Sequence, residues 1–252
     1  MNLPIITDPW FYAVAVPAVF LLGLSKSGFG AGFGSLAVPM MALVIGVPQA
    51  AAILMPLLLV MDLMGIAAYR KDFDKHLLKF LLPCGLIGTV IGTLLFKLLS
   101  AQLIAGIVGA VTLIFLAQRL LFPPKKDSAP PPRWAGALLT ITSGFTSFVA
   151  HAGGPPFNAY MIAQRLTPLA FTATAAYFFF IINLSKWAPY AWLDLLDLRN
   201  FATSLMLLPV APLGVWLGVK IARRIQPTLF YRLVHLGMFL TGCKLVWDGF
   251  FA

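Results

Sequence analysis

Apolar residues run almost without interruption along this chain, and the length of the runs rather than any alternation sets the reading. Three stretches, Ser27 to Met61, Trp134 to Gln164 and Asn200 to Val219, contain no Asp, Glu, Lys or Arg. Each exceeds the roughly 18 residues that signal a membrane-spanning helix. Transmembrane β-strands alternate apolar and polar positions, and these stretches do not. The pattern predicts an all-α integral membrane protein, a polytopic helical bundle. Only Pro123 to Arg133, with five prolines and four charges, suits neither helix nor membrane. It reads as a linker, and it divides the chain into a first membrane repeat, 1–122, the linker, 123–133, and a second membrane repeat, 134–252.

Sliding one half over the other brings matching positions together. Leu81-Leu82-Pro83 with Gly88 and Gly92 matches Leu207-Leu208-Pro209 with Gly214 and Gly218 at an offset of 126. Upstream, Gly34 matches Gly154 and Pro48 matches Pro168 at an offset of 120, the difference being a six-residue insertion near Ala188 to Leu198. Each half then holds four apolar segments, about Pro9 to Gly46, Ala50 to Tyr69, Leu77 to Leu99 and Gln102 to Phe122, and about Trp134 to Ala163, Leu169 to Tyr190, Asn200 to Ala222 and Thr228 to Phe250. The leading segment is the anomaly, because a straight helix from Pro9 to Gly46 would be roughly 57 Å long against a hydrocarbon core of about 30 Å. It must break. The breaks are Ser27 to Ser35, rich in glycine, and Ala150-His-Ala-Gly-Gly-Pro-Pro156, where glycine tolerates any backbone and proline suits the first turn of a restarting helix.

Composition and charge turn this pattern into a topology. Of 252 residues 60% are hydrophobic and 10% charged, with a formal net charge of +10. In a soluble chain such a balance would suggest nucleic acid, but here the basic residues gather in short loops, which speaks of membrane orientation. Arg70, Lys71, Lys75 and Lys79 lie in one loop, Arg119, Lys125, Lys126 and Arg133 around the linker, and Lys220, Arg223 and Arg224 in another; all three are expected in the cytoplasm. The loop from Lys186 to Arg199 and both chain ends are expected outside. This requires each leading segment to be a helical hairpin, so that each half crosses an odd number of times and the halves are inverted repeats, a common plan of secondary transporters. The two cysteines, Cys84 and Cys243, fall in apolar segments, and neither a disulfide framework nor a metal spacing is present.

The breaks also carry the candidate chemistry. Irregular backbone at membrane depth lines a cavity or is buried in protein, and a helix restarting there aims free N–H groups and a partial positive charge at an anion. Gly32, Gly34 and Ser35 supply this in the first half, Gly153, Gly154 and Asn158 in the second. Close packing of small residues is the competing reading for Gly23, Gly28 and Gly32. Lys26, between Ser25 and Ser27, is either part of the anion site or a lysine reaching the cytoplasmic surface. Asp62 sits too deep for the surface and needs a partner or a proton; it could pair with Lys26, carry a proton or bond a neighbouring helix. His151 occupies the second break, as a satisfied core residue or a functional one, and is the other proton-coupling candidate. Asn183 is a site candidate or an interhelical hydrogen bond, and Lys186, with Trp187 and Tyr190, reads as an interfacial anchor.

The segments Gly23-Leu-Ser-Lys26-Ser-Gly28-Phe-Gly30 leading to Ala37-Val-Pro39, Gly144 to Pro156, Asn183 to Lys186 and Pro189-Tyr190 resemble the sulfite exporter TauE/SafE-like anion permeases over nearly the whole chain. Phe33 and Ser35 interrupt a glycine run that is often denser in that family. The resemblance implies a multi-pass protein of the bacterial inner membrane that moves sulfite, sulfonates or related organosulfur and carboxylate anions, with export the expected direction. A passive anion channel shares the same dipole site. A membrane-embedded enzyme or assembly factor would want a metal cluster or paired carboxylates, and no such spacing occurs. No cofactor is expected; the partners expected are a small anion and membrane lipid, with a second copy of the chain as a further candidate, and no nucleic acid.

Overall fold

The computed structural model describes residues 5–28, 34–96, 98, 100–121 and 131–251. These residues form twelve α-helices and, among them, no strand. The first half runs α1 (Pro9–Gly28), a 3-10 turn (Gly34–Leu36), α2 (Ala37–Met41), α3 (Val47–Tyr69), α4 (Lys75–Leu95) and α5 (Ala101–Leu121). The second runs α6 (Arg133–Ala150), α7 (Gly154–Ala163), α8 (Pro168–Ser185), α9 (Trp187–Trp192), α10 (Leu198–Leu207), α11 (Val210–Ala222) and α12 (Pro227–Phe250). Of the expected linker only its last three residues are described; 122–130 lie outside the described residues.

Local chemistry explains the boundaries. Asp74, Thr167 and Asp197 accept hydrogen bonds from the backbone N–H groups of Leu77, Ala170 and Asn200 and so cap α4, α8 and α10. Prolines in the first turn open α3, α7, α8 and α12, where a missing N–H costs nothing. Among the described residues, five helical spans are long and apolar enough to cross a membrane, α8 and α9 together making one of them, and six if α10 and α11, bent by 50° across Leu208 and Pro209, count as one span. The expected single segment Asn200 to Ala222 is thus two helices, because Pro209 removes a backbone donor and crowds the preceding turn. The helix α9 continues the line of α8, as the last turn of α3 does in the first half, and the inserted residues follow it, before α10.

Each leading segment is an unequal hairpin. The outgoing helices α1 and α6 have 20 and 18 residues, the returning helices α2 and α7 only 5 and 10. At 1.5 Å per residue the returning legs reach about 8 and 15 Å, too short to cross a hydrocarbon core of about 30 Å.

The most extensive pairings are α1 with α11, α4 with α6, and α5 with α12, followed by α3 with α8. Exchanging the halves maps this scheme onto itself. Glycines set the first two crossings: a Cβ on Gly214 would come within 2.5 Å of the Phe20 carbonyl oxygen, and one on Gly88 would overlap that of Ile141. Phe20 and Ile141 are 121 residues apart, Gly88 and Gly214 126, so equivalent backbones touch at equivalent points. Gly23 and Gly28 face Gly214 and Gly218 of α11 and serve packing. Large apolar side chains such as Leu94, Ile114, Leu213 and Trp216 are exposed on the outer face, as suits a bundle whose solvent is lipid tails.

Candidate functional site

Two buried polar clusters meet where the leading helices break. In the first, Lys26 near the end of α1 forms an ion pair with Asp62 of α3. Asn183 of α8 donates to the other carboxylate oxygen of Asp62 at 2.7 Å. Lys26 is 8% and Asp62 1% exposed, so Lys26 does not reach the surface as a snorkelling residue would. Its ammonium lies 6.0 Å from the centre of the Phe179 ring, within cation–π reach. Of the three roles open to Asp62, the geometry displays two, pairing with Lys26 and a hydrogen bond to the neighbouring helix α8 through Asn183.

The second cluster corrects the sequence reading of Lys186. An interfacial anchor would lie at the rim; Lys186 has no exposed surface at all. It caps the C-terminus of α8, and its stem runs back to the end of α6. There its Nζ donates to the Ser147 carbonyl at 2.9 Å, the Ser147 Oγ at 3.1 Å and His151 Nδ1 at 3.0 Å. His151 Nε2 lies 3.0 Å from the Ala51 carbonyl oxygen. Nδ1 also lies 3.2 Å from the Ser147 carbonyl oxygen; with Lys186 as an ammonium donating to Nδ1, a neutral imidazole carries its proton on Nε2 and donates it to Ala51. His151 itself adopts the left-handed conformation, φ 50° and ψ 24°, as the C-cap of α6.

The backbone at the two breaks differs. In the first, the Gly34 N–H, expected to be free, donates to Ser25 Oγ at 2.9 Å, so serine rather than a ligand satisfies it. Gly32 lies outside the described residues, as does the side chain of Ser35, whose backbone belongs to the 3-10 turn. In the second, Ser143 Oγ donates to the Gly153 carbonyl at 2.7 Å and Thr146 Oγ1 to that of Ala152 at 3.1 Å. These bonds turn the chain between α6 and α7. The N–H groups of Gly153 and Gly154 have no acceptor among the described residues. Asn158, one turn beyond Gly154, is fully buried with neither side-chain amide atom partnered among the described residues, and the Ser27 hydroxyl is in the same state.

Between the breaks lies a cavity of about 20 Å³ lined by Lys26, Gly34, Ser147, His151, Gly154 and Asn183 together with Leu22, Leu58 and Phe179. That is room for one water-sized group. The expected residues Lys26, Gly34, His151, Gly154 and Asn183 therefore do come together. Asn158 and Gly153 are not among the residues lining the cavity.

A frame of hydrogen bonds repeats around both clusters. Tyr69 at the end of α3 donates to the Ser27 carbonyl at 2.5 Å, and Tyr190 of α9 donates to the Phe148 carbonyl at 2.6 Å. Donors and acceptors are each 121 residues apart. At the same offset Asp62 corresponds to Asn183, Lys26 to Ser147 and Gly65 to Lys186.

Comparison with known proteins accords with this architecture. The family model described as sulfite exporter TauE/SafE matches residues 15–245, nearly the whole chain. Neither a curated protein nor a solved structure matches it.

Proposed function

The chain belongs to the sulfite exporter TauE/SafE family, a family of membrane transporters, and from that premise we propose that it exports small anions such as sulfite, sulfonates and related organosulfur or carboxylate anions across a bacterial inner membrane. The observation that carries this reading is a cavity between the two breaks lined by the buried Lys26, with the buried Lys186 held behind its wall by the lining residues Ser147 and His151. A cation at membrane depth needs a counter-charge, and the N–H of Gly154, which lines the cavity and has no acceptor among the described residues, favours an anion in the same place. Lys26, Gly34, His151, Gly154 and Asn183 surround the anion in this reading, with Asn158 in reserve one turn along α7.

The proposal includes an inverted repeat with both chain ends in the periplasm. Two sets of contacts support it. The Ile6 N–H donates to Thr203 at 3.2 Å and Gln49 to Asn200 at 3.2 Å, joining the N-terminal segment to the starts of α3 and α10. Arg223 donates to the Ala68 carbonyl at 2.8 Å, and a cavity of about 330 Å³ is lined by Asp74, His76, Pro131 and Arg133, joining the basic loops to the linker. On this reading α1 enters from the first end and α6 from the second, and the basic end is cytoplasmic. In intact cells Asp8→Cys should label with an impermeant reagent and Asp72→Cys should not; strong labelling at position 72 would overturn the orientation.

Direction follows from the potential. Moving a monoanion outward across 100 mV, inside negative, gains about 2.3 kcal/mol without a coupling ion. Purified protein in vesicles should carry sulfite saturably, faster under a potential that drives anions out. Flux linear in concentration would point to a channel instead, and a strict need for an inward proton or sodium gradient would overturn export.

A further inference from the structure

The clusters also permit a count of charge, and from it we infer that Lys186, behind the cavity wall, is the cation whose charge the transported anion balances, and that the site selects anions bearing a single negative charge. The inference rests on the anion-transport reading above and names the substrate class of that site.

Four titratable groups act on one another here: Lys26, Asp62, His151 and Lys186; Tyr190, stacked on His151, spends its hydroxyl on Phe148. Lys26 and Asp62 cancel in an ion pair. His151 is neutral, because Lys186 donates to its Nδ1 while its Nε2–H goes to Ala51. Lys186 is left. Its three bonds go to a carbonyl, a hydroxyl and an imidazole nitrogen, three neutral acceptors that match the three hydrogens of an ammonium group. They satisfy its geometry without balancing its charge. The cluster therefore carries one positive charge more than it compensates, on a Lys186 that is itself fully buried. A bound monoanion restores neutrality, whereas a dianion leaves one charge unpaired, which a buried site penalises heavily.

Ser147 and His151, which hold Lys186, both line the cavity, as does Lys26. The ammonium thus stands one residue behind the cavity wall, close enough to act on an anion there without blocking it. Asp62 sets the count. Neutralising it would leave two cations and shift the preference to dianions.

The test uses the full-length protein purified in detergent, with methanesulfonate as a monoanion of fixed charge and sulfate as a dianion, each titrated by its effect on the thermal unfolding midpoint. Methanesulfonate should bind the wild type roughly ten-fold or more tightly than sulfate. Lys186→Gln, which keeps a hydrogen-bond donor but no charge, should lose the methanesulfonate response. Asp62→Asn should gain sulfate affinity by about ten-fold, a gain that misfolding cannot mimic. Equal binding of the two anions by the wild type, or wild-type methanesulfonate binding by Lys186→Gln, overturns the inference. So does a wild type that binds neither. Sulfite flux in vesicles then separates the two readings: flux that persists leaves anion transport standing, and its absence removes both.

Discussion

In the first half of the chain the buried lysine stands on the leading helix, at Lys26, and meets a carboxylate from the second long helix. In the second half it stands at the end of the second long helix, at Lys186, and meets only the backbone, hydroxyl and imidazole of the leading helix. The positions are exchanged: Lys26 corresponds to Ser147, and Lys186 to Gly65. Around them the frame is the same, with Tyr69 and Tyr190 latching equivalent carbonyls and Asp62 bonded directly to its own counterpart, Asn183. A symmetric frame thus holds an asymmetric charge distribution. The difference teaches that the two lysines do different jobs: one belongs to a neutral pair that closes the first break, the other is a charge awaiting a partner.

The sharpest way to break this comparison is to strand a charge. Asp62→Ala removes the only carboxylate of the cluster and leaves Lys26 buried and unpaired, which should cost about 3–5 kcal/mol of stability, read as a fall in the thermal midpoint in detergent. The double variant Lys26→Met with Asp62→Leu should recover most of that loss, since well-packed apolar residues replace a buried pair at little cost. A double variant no more stable than Asp62→Ala would mean that Lys26 and Asp62 are not the neutral pair described here.

Lys186→Met makes the contrasting change. It removes a charge and strands none, but leaves His151 Nδ1 without its donor and the Ser147 carbonyl with only the His151 N–H, so about 1–3 kcal/mol should be lost. The fall in midpoint should be smaller than for Asp62→Ala, yet anion flux should vanish. If Lys186→Met were the more damaging of the two to stability, the ammonium would be a structural clamp first.

Much of this was legible beforehand. Long uncharged runs announced the helices, and glycine with proline announced the breaks, because both follow from local backbone chemistry. Lys26, Asp62 and His151 stood out as polar residues inside apolar runs. Lys186 did not, because it sits beside Trp187 and Tyr190 close to a charged loop, and its depth depends on the direction its stem takes back toward α6. The Asp62–Asn183 correspondence was hidden by an offset of 120, which holds at Gly34 and Pro48 but slips to 121 within the second long helices. The use of Gly34 N–H by Ser25 needed the hairpin to close first, since the two residues come together only when the 3-10 turn folds back along α1.

His151 sharpens the second half of the comparison. It combines a left-handed backbone with two ring hydrogen bonds. His151→Ala loses both bonds and keeps the strain, for a cost of about 1–2 kcal/mol. Asn tolerates the left-handed region and offers Lys186 a carbonyl acceptor, so His151→Asn should cost about half as much. Equal midpoints for the two variants would show that neither the backbone conformation nor the bond to Lys186 matters to the fold.

The smallest effect tests the frame itself. Tyr69 and Tyr190 each donate one hydrogen bond to a buried carbonyl at the end of a leading helix, at 2.5 and 2.6 Å, and both are essentially fully buried. Replacing either by Phe deletes the hydroxyl, keeps the ring and leaves one carbonyl without its donor, a loss of about 1 kcal/mol. Because the two bonds join equivalent positions, Tyr69→Phe and Tyr190→Phe should lower the thermal midpoint by nearly equal amounts. Being far apart in partners, their effects should add in the double variant to within about 0.5 kcal/mol. The functional consequence should differ where the stability does not: Tyr190 stacks on His151, which contacts Lys186, whereas Tyr69 contacts the chain beside the neutral pair. Tyr190→Phe should therefore weaken anion affinity more than Tyr69→Phe. Unequal stability losses would mean that the repeated geometry hides different packing, and equal affinity losses would remove the distinction between the two lysines at its edge.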